Sequence, residues 1–114
     1  MLVSADRNDG SSVEPGRTDG VGSGVGDDGL EEAAELLRAL SHPVRLRIIE
    51  LLSDGESCVK RLEELLGIPQ PSVSQHLSRL RYAGLIESER RGHLVCYRLV
   101  EPKGSEILRA ARGE

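Results

Sequence analysis

From Asp28 onward the apolar residues fall on helical spacings, broken by short polar punctuation. Asp28 and Glu31 have the spacing of a capping box, and Ala33, Leu36, Leu37 and Leu40 line one face of a first predicted helix ending near Ser41. Ser41-His42-Pro43 opens a second helix, with Ser41 or His42 as N-cap and Pro43 at the first helical position, where no N–H is needed. Val44, Ile48, Leu51 and Leu52 form its stripe, and Ser53-Asp54-Gly55 stops it. Ser57 caps a third helix with Val59, Leu62, Leu65 and Leu66 inward and Gly67 as its stop. After the turn Gly67-Ile68-Pro69-Gln70, a fourth helix is predicted from about Pro71 to Ala83, with Gly84 releasing it. Its apolar positions Val73, Leu77, Leu80 and Gly84 occupy a narrow arc.

Beyond Gly84 the period changes. Leu85 to Arg90 and Leu94 to Val100 read as two strands around Arg91-Gly92-His93; Val95, Tyr97 and Leu99 alternate with Cys96 and Arg98 as in a half-buried hairpin. Pro102 reopens a short last helix anchored by Ile107, Leu108 and Ala111. A short Gly/Pro break between two compact helices is helix-turn-helix geometry, and a strand pair directly after the second of them is a wing. The expected fold is mainly α with a small β-hairpin, a winged helix-turn-helix in the order ααα-α-ββ-α over residues 30–114.

Residues 1–29 are rich in Gly, Ser and Asp and poor in large apolar side chains, so a disordered N-terminal tail is expected there. Its Gly20–Gly26 run follows no strand and lacks the lysine of a phosphate loop, which makes it a linker. The 114 residues suffice for one domain, and with two Tyr, no Phe and no Trp its core must be aliphatic. So small a core often needs a second subunit to complete it. No run of about 18 apolar residues predicts a membrane span, and no signal-peptide core precedes the domain, so a cytoplasmic protein is expected. Two distant cysteines in such a chain predict reduced thiols rather than a disulfide framework.

The net charge of −4 is unpromising for a nucleic-acid binder until it is located. Asp6, Asp9, Glu14, Asp19, Asp27 and Asp28 against Arg7 and Arg17 account for all of it. From Ile68 to Arg98 five arginines face only Glu87 and Glu89, a local +3, and local charge sets a phosphate footprint.

The fourth helix carries the candidate chemistry. Opposite its apolar arc lie Ser72, Ser74, Gln75, Ser78, Arg79 and Tyr82. Short hydroxyls, an amide and an arginine reach base edges from a helix in the major groove: Gln75 pairs bidentately with adenine, and Arg79 with guanine or a phosphate. A solvated face is the plain alternative for serines alone. His76, at the edge of the stripe, is a packing or phosphate-contacting residue rather than a metal ligand. Arg90, Arg91, His93 and Arg98 cluster on the wing, where they contact backbone phosphate or guard a strand edge. Arg45 and Arg47 read as surface or ion-pairing residues.

Three segments are similar to the ArsR/SmtB family of winged-helix repressors: ALSHPVRLRIIELL (39–52), PQPSVSQHLSRLRYAGLI (69–86) and RRGHLVCYRL (90–99). The resemblance covers about residues 30–112 and implies a homodimer formed by the first and last helices. It also implies a double-stranded operator with dyad symmetry, released on a chemical signal. The family's soft-metal site opens the third helix with two cysteines; here Cys58 holds the first position and Lys60 replaces the second, and a cation there repels a metal. The zinc-type site on the last helix is also missing, because no His follows His93. No metal or other cofactor is therefore expected. Cys58 and Cys96 remain possible sensor thiols, alone or together, or else small core residues. The expected function is a DNA-binding transcriptional regulator, a repressor without catalysis. The rivals are a metal- or thiol-responsive sensor using Cys58, and a winged helix serving protein–protein contact, which would show an apolar recognition face.

Overall fold

The computed structural model describes residues 29–100 and 102–114. The elements run α1 (Leu30–Leu40), α2 (Pro43–Leu52), β1 (Ser57–Cys58), α3 (Val59–Leu66), α4 (Gln70–Tyr82), β2 (Ile86–Arg91), β3 (Leu94–Leu99) and α5 (Lys103–Ala111). Of the tail expected over 1–29, residues 1–28 lie outside this description, and with them Asp28 of the proposed capping box. The chain divides after Ala34, and the core belongs to the second unit, Glu35–Glu114.

Each boundary has a local cause. His42, not Ser41, caps α2: its extended backbone turns the chain in, and its Nδ1 accepts the Val44 N–H at 3.1 Å. Gly67 ends α3 in the left-handed region (φ +67), its N–H returning to the Glu63 carbonyl at 2.9 Å. Three residues later α4 begins, one position before the expected start, with Pro71 in its first turn. At its far end Gly84 takes φ +81, and the Leu85 N–H donates back to the Leu80 carbonyl at 3.1 Å. That double-back aims the chain straight into β2.

The core is aliphatic, as composition requires. Ile48 and Ile49 of α2, Leu62 of α3, and Val73, Leu77 and Leu80 of α4 are all fully buried. Leu36 and Leu66 pack against this cluster, but Leu37 and Leu65, expected inward, are 55% and 47% exposed. Adjacent helical residues point about 100° apart, so only one of each Leu-Leu pair faces a core this narrow. α5 closes over α2 at Gly104, where an added Cβ would meet Ile49 Cδ1 at 3.4 Å, and through an Arg112–Glu50 ion pair at 2.8 Å.

The sheet has a strand that periodicity did not predict. Its order is β1-β3-β2, all antiparallel, with Ser57 opposite Tyr97 and Cys58 opposite Cys96. Ser57 is therefore a strand residue rather than a cap, and Cys58 holds the N-cap position of α3 without a side-chain bond. Two residues are too few to show alternation. The expectation of reduced thiols is also corrected: Cys58 and Cys96 form a disulfide. The β1–β3 register sets them face to face across neighbouring strands, 38 residues apart in sequence. Cys96 is consequently buried while Leu94 and Arg98, on its own side of β3, are exposed.

Candidate nucleic-acid interface

Val73, Leu77 and Leu80 set the rotation of α4 by locking one side of it into the core. That rotation leaves Gln75 and Ser78 exposed, with Ser72, Ser74, His76 and Arg79 half-buried along the margins. Gln75 and Ser78 are thus the outward-facing members of the expected set. Ser74 is less available, because Gln70 Nε2 donates to its Oγ at 2.8 Å one turn away. Sequence reading passed over Gln70, although its i, i+4 spacing to Ser74 was visible.

Arg79 is the residue whose setting differs most from expectation. Its Nη1 donates to Glu35 Oε2 on α1 at 2.7 Å, and the two side chains are 30% and 34% exposed. The Arg79 hydrogen bond, with the charges of Arg79 and Arg38 adding to it, holds the Glu35 carboxyl below its usual value. Glu35, Ser74, Gln75, Ser78, Arg79 and Tyr82 together line an open cleft of about 680 Å³. No sequence signal pairs residues 44 apart. Arg81, exposed and without an ion pair among the described residues, is a basic candidate that the pattern also left out.

On the wing, β2 and β3 pair from Ile86–Leu99 to Arg91–Leu94, with Gly92 and His93 at the tip. The four basic residues there are not equivalent. Arg91 is held by Glu56, through Nε at 2.8 Å and Nη2 at 3.0 Å, and touches Glu89 at 3.3 Å. Arg98 pairs with Glu87 at 2.8 Å and Glu89 at 2.7 Å. These contacts hold Glu89 below and Arg98 above their usual values, the Arg98–Glu89 hydrogen bond being the largest cause of each. Arg90 and His93 carry no ion pair among the described residues and project from the exposed tip. The local positive charge is therefore concentrated on fewer side chains than the count suggested.

His76 turns its ring toward the start of α2, where it meets the His42 ring at a centroid distance of 4.4 Å. Burial, and then the positive charges of His42 and Arg45, push the His76 pKa down. Arg45 is not the plain surface residue expected: its Nε is buried and has no hydrogen-bond partner. Arg47 does pair, with Glu50.

The donor set does not suit a metal. Cys58 is tied up in the disulfide and Lys60 is exposed beside it. Among the described residues no group of three His, Cys, Asp or Glu is disposed to hold an ion. No helix among them is long and apolar enough to cross a membrane.

A buried helix pair joined by a tight turn, a second helix with a polar outer face and a hairpin directly behind it define a winged helix-turn-helix module of the DNA-binding class. The chain belongs to the ArsR family: the model "Bacterial regulatory protein, arsR family" matches residues 42–88, from the N-cap of α2 through the first residues of β2. It is 44% identical over 79 residues to a biofilm growth-associated repressor of Xylella fastidiosa, covering 69% of each chain. It is 49% identical over 79 residues to the HTH-type transcriptional repressor SmtB of Mycobacterium tuberculosis, covering 69% of this chain and 58% of that one. The crystal structure of the transcriptional repressor BigR from Xylella fastidiosa superposes with a TM-score of 0.70 at 38% identity, over 80% of this chain and 93% of that one.

Proposed function

We propose that the protein is a transcriptional repressor that binds an operator of dyad symmetry as a homodimer, with α4 of each subunit in a major groove. The observation that carries this reading is the face of α4: Gln75 and Ser78 stand outward with Arg79 beside them, on a helix rigidly seated by three fully buried residues. Arg90 and His93 at the wing tip contact the flanking phosphate backbone. A polar face of this kind argues against the protein–protein alternative, which needs an apolar one. Repressors among the relatives support the same reading.

Dimerisation runs through the first and last helices. Leu30 and Leu37, 53% and 55% exposed on α1, supply apolar surface for it. The test pairs sedimentation with a mobility shift on symmetric duplexes selected from a randomised library. A two-to-one complex that collapses when one half-site is scrambled supports the dimer; a stable one-to-one complex overturns it.

The disulfide favours a second reading, that the releasing signal is a thiol–disulfide change rather than a metal. Exchange of the Cys58 and Cys96 thiols with a small-molecule disulfide forms the cystine and liberates two equivalents of small thiol; attack by two small thiols reverses it. The bond joins the strand that leads into α3 to the inner strand of the wing, so its state bears on how wing and reading helix are held. A mobility shift that changes between dithiothreitol and diamide, and is indifferent in a Cys58→Ser protein, supports this reading. Equal binding in both conditions removes it.

A further inference from the structure

Glu35 is out of place for a DNA-binding surface. Among the described residues it is the one carboxylate lining the cleft over the reading face, and a negative charge there opposes the phosphates that the protein must approach. Its contacts show what it does instead. Glu35 Oε2 accepts from Arg79 Nη1 at 2.7 Å, while Oε1 lies 3.4 Å from Arg38, so the carboxylate is steadied by a second guanidinium on its own helix. Among the described residues Arg79 is engaged through Nη1 alone, and Nε and Nη2 donate to no carboxylate. A guanidinium has five donors in a fixed plane, so anchoring Nη1 selects the direction in which the remaining ones point.

We propose that Glu35 is a specificity-determining positioning residue, which fixes the Arg79 guanidinium over the reading face and withholds it from indiscriminate phosphate contact. The inference rests on the reading of Arg79 as a base-contacting residue. A lone phosphate that draws Arg79 away exchanges one carboxylate contact for one phosphate contact, with little net gain. A base edge with two acceptors, such as guanine, engages the free side of the fork while Nη1 stays on Glu35. Random DNA therefore profits less from Arg79 than the correct sequence does, and the ratio of the two affinities rises.

The test measures binding of the full chain and of Glu35→Gln, Arg79→Gln and the double variant to two probes. One is a duplex selected from a randomised library by the native protein, the other an unselected duplex pool. Glu35→Gln is expected to bind the pool more tightly, with its salt slope steeper by about one counterion. Its preference for the selected duplex falls about tenfold. In the Arg79→Gln background the same change leaves that preference unaltered. A Glu35→Gln effect that persists undiminished without Arg79, or that is equal on both probes, makes Glu35 a mere repelling charge and overturns the proposal. Arg79→Gln alone discriminating like the native protein removes Arg79 from readout, a separate and recognisable failure that takes this inference with it. Matching melting temperatures for native and Glu35→Gln proteins exclude a folding defect.

Discussion

Cys58 and Cys96 occupy one rung of the β1–β3 ladder and are joined there by a disulfide. The bond closes a loop containing α3, the turn, α4 and β2, and so most of the candidate DNA-contacting residues. A cross-link over 38 residues restricts the unfolded chain, and cross-links of this size contribute about 2–4 kcal/mol. The oxidised protein should therefore unfold at a higher denaturant concentration than the Cys58→Ser/Cys96→Ser variant by about that free energy. Coincident unfolding curves would show that the bond is absent in solution or contributes nothing.

His76 makes stability depend on pH in a defined direction. Burial, with the charges of His42 and Arg45 adding to it, lowers its native pKa, so in the window below the ordinary value of about 6.5 the unfolded chain binds a proton more readily than the folded one. Stability then falls as the pH drops through that window and is insensitive to this group above it. The His76→Gln protein should lose that part of the slope in urea titrations at pH 7.5 and 5.5. An unchanged slope would assign the dependence to other groups.

Leu77 of α4 is fully buried in the aliphatic core. Leu77→Ala should destabilise the fold by about 2–5 kcal/mol, measured by chemical denaturation, and should weaken DNA binding only as far as it unfolds the protein. A loss below 1 kcal/mol would mean that the core is not packed as described.

Gly84 holds a left-handed backbone in open space: beyond its chain neighbours, no atom of the described residues lies within 4 Å of an added Cβ. Gly84→Ala therefore meets no clash, and its cost is the backbone conformation alone, about 1–2 kcal/mol. Melting temperature reads it out. A neutral substitution would place the helix-to-wing turn in another conformation.

The helices were legible because burial imposes a 3.6-residue period on Leu, Ile and Val, and because Pro43, Gly67 and Gly84 mark their ends. The hairpin was legible from alternation in its second strand and from the turn at Gly92. What escaped was whatever depends on two distant segments meeting. β1 is only two residues long and exists because β3 offers it an edge. The disulfide follows from that pairing, not from cysteine count. On the reading face, Gln75 and Ser78 stand as their helical positions require, whereas the Glu35–Arg79 pair and the Glu56–Arg91 pair arise only once α1 and β1 are folded alongside. The charge count overstated the wing in part for the same reason: folding brings Glu56 to Arg91, while Arg98 is engaged by Glu87 and Glu89, which the count already held.

The central claim, that α4 reads DNA, is tested most directly by the salt dependence of binding to a duplex selected from a randomised library, measured for native and Gln75→Ala proteins. The account predicts that log affinity falls linearly with log salt for both. It also predicts that Gln75→Ala loses about 1–3 kcal/mol on the selected duplex and almost nothing on an unselected pool. A flat salt plot, or equal losses on both duplexes, would contradict it.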